Sequence, residues 1–175
     1  MKKLLSSFAI AAVLLASTGA EAFYVGLAGG SAKTKIDGDS VDPAFSYTVS
    51  AGLAFPIPLF PIRAEVEFLN LRSSEDLGSV RTYGFAANGY VDLPLLPIIH
   101  PYLGFGLASM KQSAGGDKSD SKVAPQYMLG LDIGIPLLPL HAGVEYRYID
   151  ADFDYSGIES TSKIHAFLLK ARYTF

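Results

Sequence analysis

Cysteine is absent from the 175-residue chain, so no disulfide staples the fold, although an exported compartment would permit one. After the first 22 residues no apolar run approaches the ~18 residues of a spanning-helix candidate, so no transmembrane helix is expected. Strong charge of either sign is missing too. The formal net charge is −3, and such mild acidity argues against a nucleic-acid partner. Yet hydrophobic residues make up 50% of the chain, and that apolar surface needs either a core or lipid.

The N-terminus sets the compartment. Lys2-Lys3 gives a basic start, Leu4 to Leu15 a mainly apolar stretch, and Ala20-Glu21-Ala22 the small-x-small form of a secretory cleavage site. Residues 1–22 are therefore expected to be a removed signal peptide, leaving one domain, 23–175. Loss of Lys2, Lys3 and Glu21 takes the formal charge from −3 to −4.

Period-two alternation runs through what remains. Eight strands are expected, near 23–32, 45–55, 62–71, 80–93, 101–110, 124–135, 140–149 and 163–175. In the second, Tyr47, Val49, Ala51, Leu53 and Phe55 share one face against Ser46, Thr48, Ser50, Gly52 and Ala54. In the sixth, Tyr127, Leu129, Leu131, Ile133 and Ile135 oppose Gln126, Met128, Gly130, Asp132 and Gly134. The last sets Phe167, Leu169, Ala171, Tyr173 and Phe175 against Lys170, Arg172 and Thr174, and ends on an aromatic. Each less polar face is continuous over about the 9–11 residues that a tilted strand needs to cross a bilayer. The small or polar opposite face would make a poor soluble core.

The connections alternate in character. Phe55-Pro56-Ile57-Pro58-Leu59-Phe60-Pro61-Ile62, Leu93-Pro94-Leu95-Leu96-Pro97-Ile98 and Ile135-Pro136-Leu137-Leu138-Pro139-Leu140 are three versions of one apolar, proline-bracketed turn, and they mark a repeating two-strand unit. Between them come polar stretches at 33–43, 72–79, 111–122 and 150–162. In a membrane barrel the short turns face the periplasm and the longer loops face outside, which puts both chain ends on the periplasmic side.

Signal peptide, eight alternating strands, long polar loops and terminal aromatic together resemble the small outer-membrane barrel families, the OmpA transmembrane domain and the OmpX, Ail and opacity-protein group. The resemblance spans the mature chain. It implies an all-β, eight-stranded antiparallel up-and-down transmembrane β-barrel, porin-like in architecture and monomeric, in contact with outer-membrane lipid and lipopolysaccharide. It also implies that Tyr173 and Phe175 form a C-terminal assembly signal read by the barrel-assembly machinery. Stopping at Phe175, the chain is expected to lack the peptidoglycan-binding domain of full-length OmpA. The apolar prolyl turns depart from the usual short polar ones. Proline closing a strand by withholding a ladder donor is one reading, and a turn dipping into the inner leaflet is the other.

Strand parity then sorts the charges. Arg63, Glu65, Glu67, Asp92, Asp132, Glu145, Arg147, Lys170 and Arg172 are all expected to point into the lumen, four cations against five anions. Ions withdrawn from bulk water must be paired or hydrogen-bonded, so a charge network that plugs the barrel is predicted. Eight strands enclose only enough space for side chains to fill, which disfavours a conducting pore. The expected register of the last hairpin sets Glu145 opposite Lys170 with Arg172 on the diagonal, predicting an ion pair to one of them. Phe23, Phe55, Tyr102 and Tyr173 are expected in an inner aromatic girdle, and Tyr47, Tyr83, Tyr127 and Tyr148 in the outer one.

Residues suited to catalysis are sparse. Of His100, His141 and His165, only His165 lies near the outer rim, where lipid A-modifying barrels keep Ser, His and acidic groups, and parity puts Ser162 on the opposite face. The His-x-Ser arrangement of lipid A deacylases is absent. Asp150, Asp152 and Asp154 share the outward face and begin like a calcium loop, but Tyr155 stands where its glycine belongs and Thr161 where its glutamate belongs. They read as solvated partners, Asp152 of Lys163 and Asp150 of His165, with a divalent bridge to lipopolysaccharide as the sharper alternative. No catalytic residue, cofactor or metal is assigned. The expected function is a non-enzymatic surface barrel that supports the envelope, with adhesion or host interaction through its loops implied by the resemblance alone. A lipid A-modifying enzyme, a narrow channel and a soluble periplasmic barrel around an apolar ligand are the alternatives.

Overall fold

The computed structural model describes the backbone of residues 22–36, 39–40, 42–75, 78–93, 98–114, 119–155 and 158–175, and the side chains of 22–35, 43–71, 82–93, 98–111, 122–151 and 163–175. The expected signal peptide lies outside them apart from Ala22. Among the described residues nine strands follow in order: β1 (Ala22–Ile36), β2 (Asp39–Ser40), β3 (Asp42–Phe55), β4 (Ile62–Glu75), β5 (Gly78–Asp92), β6 (Ile99–Ala114), β7 (Ser119–Gly134), β8 (Leu140–Tyr155) and β9 (Ile158–Thr174). β2 is a two-residue piece paired to the end of β1. The other eight form a ring of antiparallel neighbours, closed where β1 pairs with β9 from Tyr24↔Thr174 to Ile36↔Ser162. Closure leaves no open edge in the ring, which is how a sheet satisfies its backbone in lipid.

The alternation sets the two faces. Leu27, Val49, Phe85, Phe105, Leu107, Leu129, Val144, Phe167 and Leu169 are exposed on the outside, while the intervening positions are buried within. A soluble barrel would reverse this arrangement, so the reading as a soluble shell around an apolar ligand is overturned.

The ladders run further toward the polar ends than the alternation predicts. Glu75 pairs with Gly78, Ser113 with Ser119 and Tyr155 with Ile158, so the stretches expected as long loops are mostly paired strand. The apolar face stops where the bilayer does, but a backbone ladder needs only a partner. The last hairpin is also paired differently. Gly143 faces Lys170 and Glu145 faces Leu168, a two-residue shift from the expected register that follows from the longer ladder. Because side chains alternate with period two, such a shift leaves every one on its expected face.

Candidate functional site

Inward positions on one strand are two residues apart, so each strand delivers a column of side chains to the lumen. β4 delivers Arg63, Glu65 and Glu67, then Leu69 and Leu71. β8 delivers Glu145 and Arg147, then Ile149 and Ala151. From the other end of its sequence, β9 brings Arg172 and Lys170 first and then Leu168, Ala166 and Ile164. All three columns carry charge near the prolyl turns and apolar groups near the outer hairpins.

The charges form two clusters. In one, the fully buried Arg147 forks onto Glu67, with Nη1 2.7 Å from Oε2 and Nη2 3.0 Å from Oε1, while Nη2 also donates to Glu145 Oε1 at 2.6 Å. The second Glu145 oxygen accepts from Lys170 Nζ at 2.8 Å and from the Tyr102 hydroxyl at 2.9 Å. Asn88 donates to Glu67 at 2.9 Å, and the Tyr90 hydroxyl to Glu65 at 3.0 Å. In the other cluster, nearer the turns, Arg63 Nε and Nη2 grip Asp92 at 2.9 and 2.7 Å, and Arg172 Nη2 reaches Asp132 at 3.1 Å. The Tyr90 and Tyr102 rings join the two, since the Arg63 guanidinium lies 4.8 Å from both centroids and Lys170 Nζ lies 5.1 and 5.7 Å from them. The structure thus places all nine sequence-predicted charges in the lumen. Of the two partners expected for Glu145, it takes Lys170. In the observed register Arg172 faces His141, which carries it toward Asp132 instead.

Tyr102 corrects an expectation. It is wholly buried in the lumen rather than part of the inner girdle, because it pairs across the ladder with Asp92 and shares that residue's face. Among the described side chains, each lumenal tyrosine lies directly opposite a glycine: Tyr24 opposite Gly52, Tyr90 opposite Gly104 and Tyr102 opposite Gly130. A Cβ on any of these glycines would run into the ring that covers it. The sequence signal was there, in glycines spaced along the inward face, but it becomes readable only once the register is known.

Nearer the outer hairpins the lumen turns apolar. Leu69, Leu71, Met110, Ile149, Ile164 and Leu168 pack in one buried cluster among alanines such as Ala32, Ala108 and Ala166. The cluster comes chiefly from β4, β8 and β9, while the inward faces of β3, β5 and β7 stay largely small or polar as expected, with Ser46, Thr48, Thr82 and Gln126 buried among the apolar groups. The parity that turns Glu67 inward does the same for Leu69 and Leu71, and the polar-in pattern of membrane barrels describes only half of β4, of β8 and of β9.

On the outside, His165 Nδ1 lies 2.7 Å from the Tyr146 hydroxyl, with the Tyr148 ring alongside. Asp150 faces Lys163 instead of His165, and Asp152 faces Thr161 instead of Lys163, both from the same register shift. The side chains of Asp152 and Asp154 lie outside the described residues. At the seam, Tyr173 and Phe175 point outward with ring centroids 4.8 Å apart, and the Phe175 N–H donates to the Phe23 carbonyl at 2.8 Å.

Known proteins share this architecture. Residues 4–175 match the family described as outer membrane protein beta-barrel domain. Among solved structures, Neisserial surface protein A is similar with a TM-score of 0.70 and 19% identity, over 88% of this chain and 99% of that one. Ail, the attachment invasion locus protein of Yersinia pestis, solved in complex with the heparin analogue sucrose octasulfate, gives 0.57 and 19% over 88% and 98%. OprG from Pseudomonas aeruginosa gives 0.54 and 12% over 87% and 95%. At these identities the likeness is one of fold. No match is found among curated proteins. With the family match covering nearly the whole sequence and the closed eight-stranded ring showing its apolar face outward, the chain belongs to the outer membrane protein beta-barrel domain family.

Proposed function

We propose that this barrel is a non-enzymatic, non-conducting structural protein of the bacterial outer-membrane surface. The apolar cluster above the buried charges carries that reading. An ion entering from the outside would give up its water beside Leu69, Ile149, Ile164 and Leu168, where the buried polar groups Thr34, Thr48, Thr82 and Gln126 carry no charge to replace it, before it reached the charged zone. In this reading residues 1–22 are removed on export, Tyr173 and Phe175 present the last strand to the assembly machinery, and the outer wall meets lipid and lipopolysaccharide. Planar-bilayer recording of the purified barrel tests it: no unitary conductance is expected, and regular conductance steps would overturn the proposal.

Attachment to a host or surface ligand is the second reading, favoured by the paired hairpins β4–β5, β6–β7 and β8–β9 continuing beyond the apolar belt as ladders. Ail was solved with a heparin analogue, which makes a sulfated glycan the probe to use. Cells displaying the barrel should retain heparin, and cells displaying it with residues 112–121 replaced by a short glycine-serine turn should not. Equal retention by both would defeat this reading for that hairpin.

A further inference from the structure

The prolyl turns join β3 to β4, β5 to β6 and β7 to β8 at the periplasmic end, and two of the three are described. In the first, Ile57, Leu59 and Phe60 stand exposed, Leu59 by 80%. In the second, Leu137 is fully exposed at 103% and Leu138 at 54%. In both, the leucine after a proline adopts a left-handed backbone, with φ of 75° at Leu59 and 68° at Leu137. Pro136 and Leu137 are the central pair of a turn of type II form, closed by the Leu138 N–H donating to the Ile135 carbonyl at 3.1 Å. That corner suits glycine, because a side chain there strains against its own backbone. A leucine is doubly unfavourable for a turn in water, since it strains the backbone and exposes an isobutyl group.

The backbone polar groups fit a different solvent. Prolines at 56, 58, 61, 136 and 139 remove five N–H donors from the two turns. The Ile57 N–H donates to the Phe55 carbonyl at 2.8 Å, and the Ile135 N–H to the Leu140 carbonyl at 2.9 Å. Neighbouring strands cover carbonyls as well, Asp92 donating to Pro61 and Thr174 to Pro139. Neither turn contains a charged residue. Few donors and no charge are what hydrocarbon demands of a backbone, and of the five N–H groups left in the turns, at 57, 59, 60, 137 and 138, those of Ile57 and Leu138 are bonded within them. The apolar outer wall also runs into the turns without a break, through Ile62, Ile133 and Ile135, and beside them at the seam through Phe23, Tyr173 and Phe175.

We propose that these turns insert into the acyl region of the inner leaflet of the outer membrane and anchor the periplasmic rim of the barrel in lipid. The occupant is phospholipid, because the surface continues the lipid-facing wall instead of forming a separate bounded patch.

The absence of native cysteine allows a direct test on the mature chain. Single-cysteine variants Leu59→Cys and Leu138→Cys, labelled with a polarity-sensitive fluorophore, are refolded in phosphatidylcholine vesicles whose acyl chains carry bromine. Val144→Cys on the mid-wall and Lys111→Cys at the outer rim serve as references, and a heat-dependent gel shift shows which variants are folded. Quenching at 59 and 138 should reach at least half of that at 144, with little added by aqueous iodide. Quenching no greater than at 111, together with strong iodide quenching, would overturn the proposal and leave the turns in periplasmic water, open to a protein partner. Leu138, next to Leu137 but without its left-handed backbone, keeps the test decisive should the strained Leu59 site fail to fold. An unquenched label at 144 would instead remove the membrane assignment itself, so the two failures are distinguishable.

Discussion

A buried charge is held in place by its partners, and losing one partner costs more than replacing the set. Arg147 sits between Glu67 and Glu145 with no access to solvent. Arg147→Met is expected to destabilise the barrel by about 3–5 kcal/mol, because Glu67 loses its bidentate cation in a low-dielectric lumen while Glu145 keeps only the Lys170 cation. Adding Glu67→Gln should recover part of that loss, and urea unfolding of the three proteins in lipid vesicles measures both steps. A double variant no more stable than Arg147→Met would show that the arginine acts mainly by filling space. The tyrosine–glycine pairs make a second prediction. Gly130→Ala places a Cβ against the Tyr102 ring, whose hydroxyl serves Glu145, and should cost about 1–3 kcal/mol by overpacking. The same unfolding assay checks it, and a neutral outcome would mean that the ring has room to move. The lumenal charges were legible in sequence because a charged residue on an alternating strand must take the face away from lipid. The apolar cluster was not, since parity names the face of Leu69 or Ile149 but not its neighbours around the ring, which depend on how all eight strands are staggered.

At the scale of strands and turns, legibility failed at the ends. Alternation located every barrel strand, yet Glu75↔Gly78 and Tyr155↔Ile158 lie beyond the last apolar residue of the pattern, where only backbone pairing continues. The closing strand makes the clearest test of an element. Deleting Phe175 removes an N–H that donates to Phe23 and a ring packed on Tyr173 and Phe23, and it should lower recovery in the outer membrane several-fold. Undiminished recovery would remove the assembly role assigned to the C-terminal aromatic. The type II turn offers the opposite kind of substitution. Leu137→Gly relieves a left-handed backbone worth about 1–2 kcal/mol but withdraws a side chain whose burial in lipid is worth about 1.5–3 kcal/mol. A small net loss of stability in bilayers is expected, and a gain would mean that the turn lies in water.

For the whole molecule, the apolar faces and the ladder describe one object with lipid outside and a filled interior. Outer-membrane fractionation, with gel mobility compared before and after boiling, should show membrane recovery and a heat-dependent shift. Soluble recovery without a shift would contradict the outward apolar wall. The pairing of β1 with β9 also has a consequence in time. The earliest strand of the ring has as its partner the latest, so no sequence-local step can finish the ring. Until the final residues arrive, β1 and β8 are both raw edges, each a template for a stray chain. A chain that lacked β9 would therefore keep two open edges, a state that favours aggregation over a partial barrel.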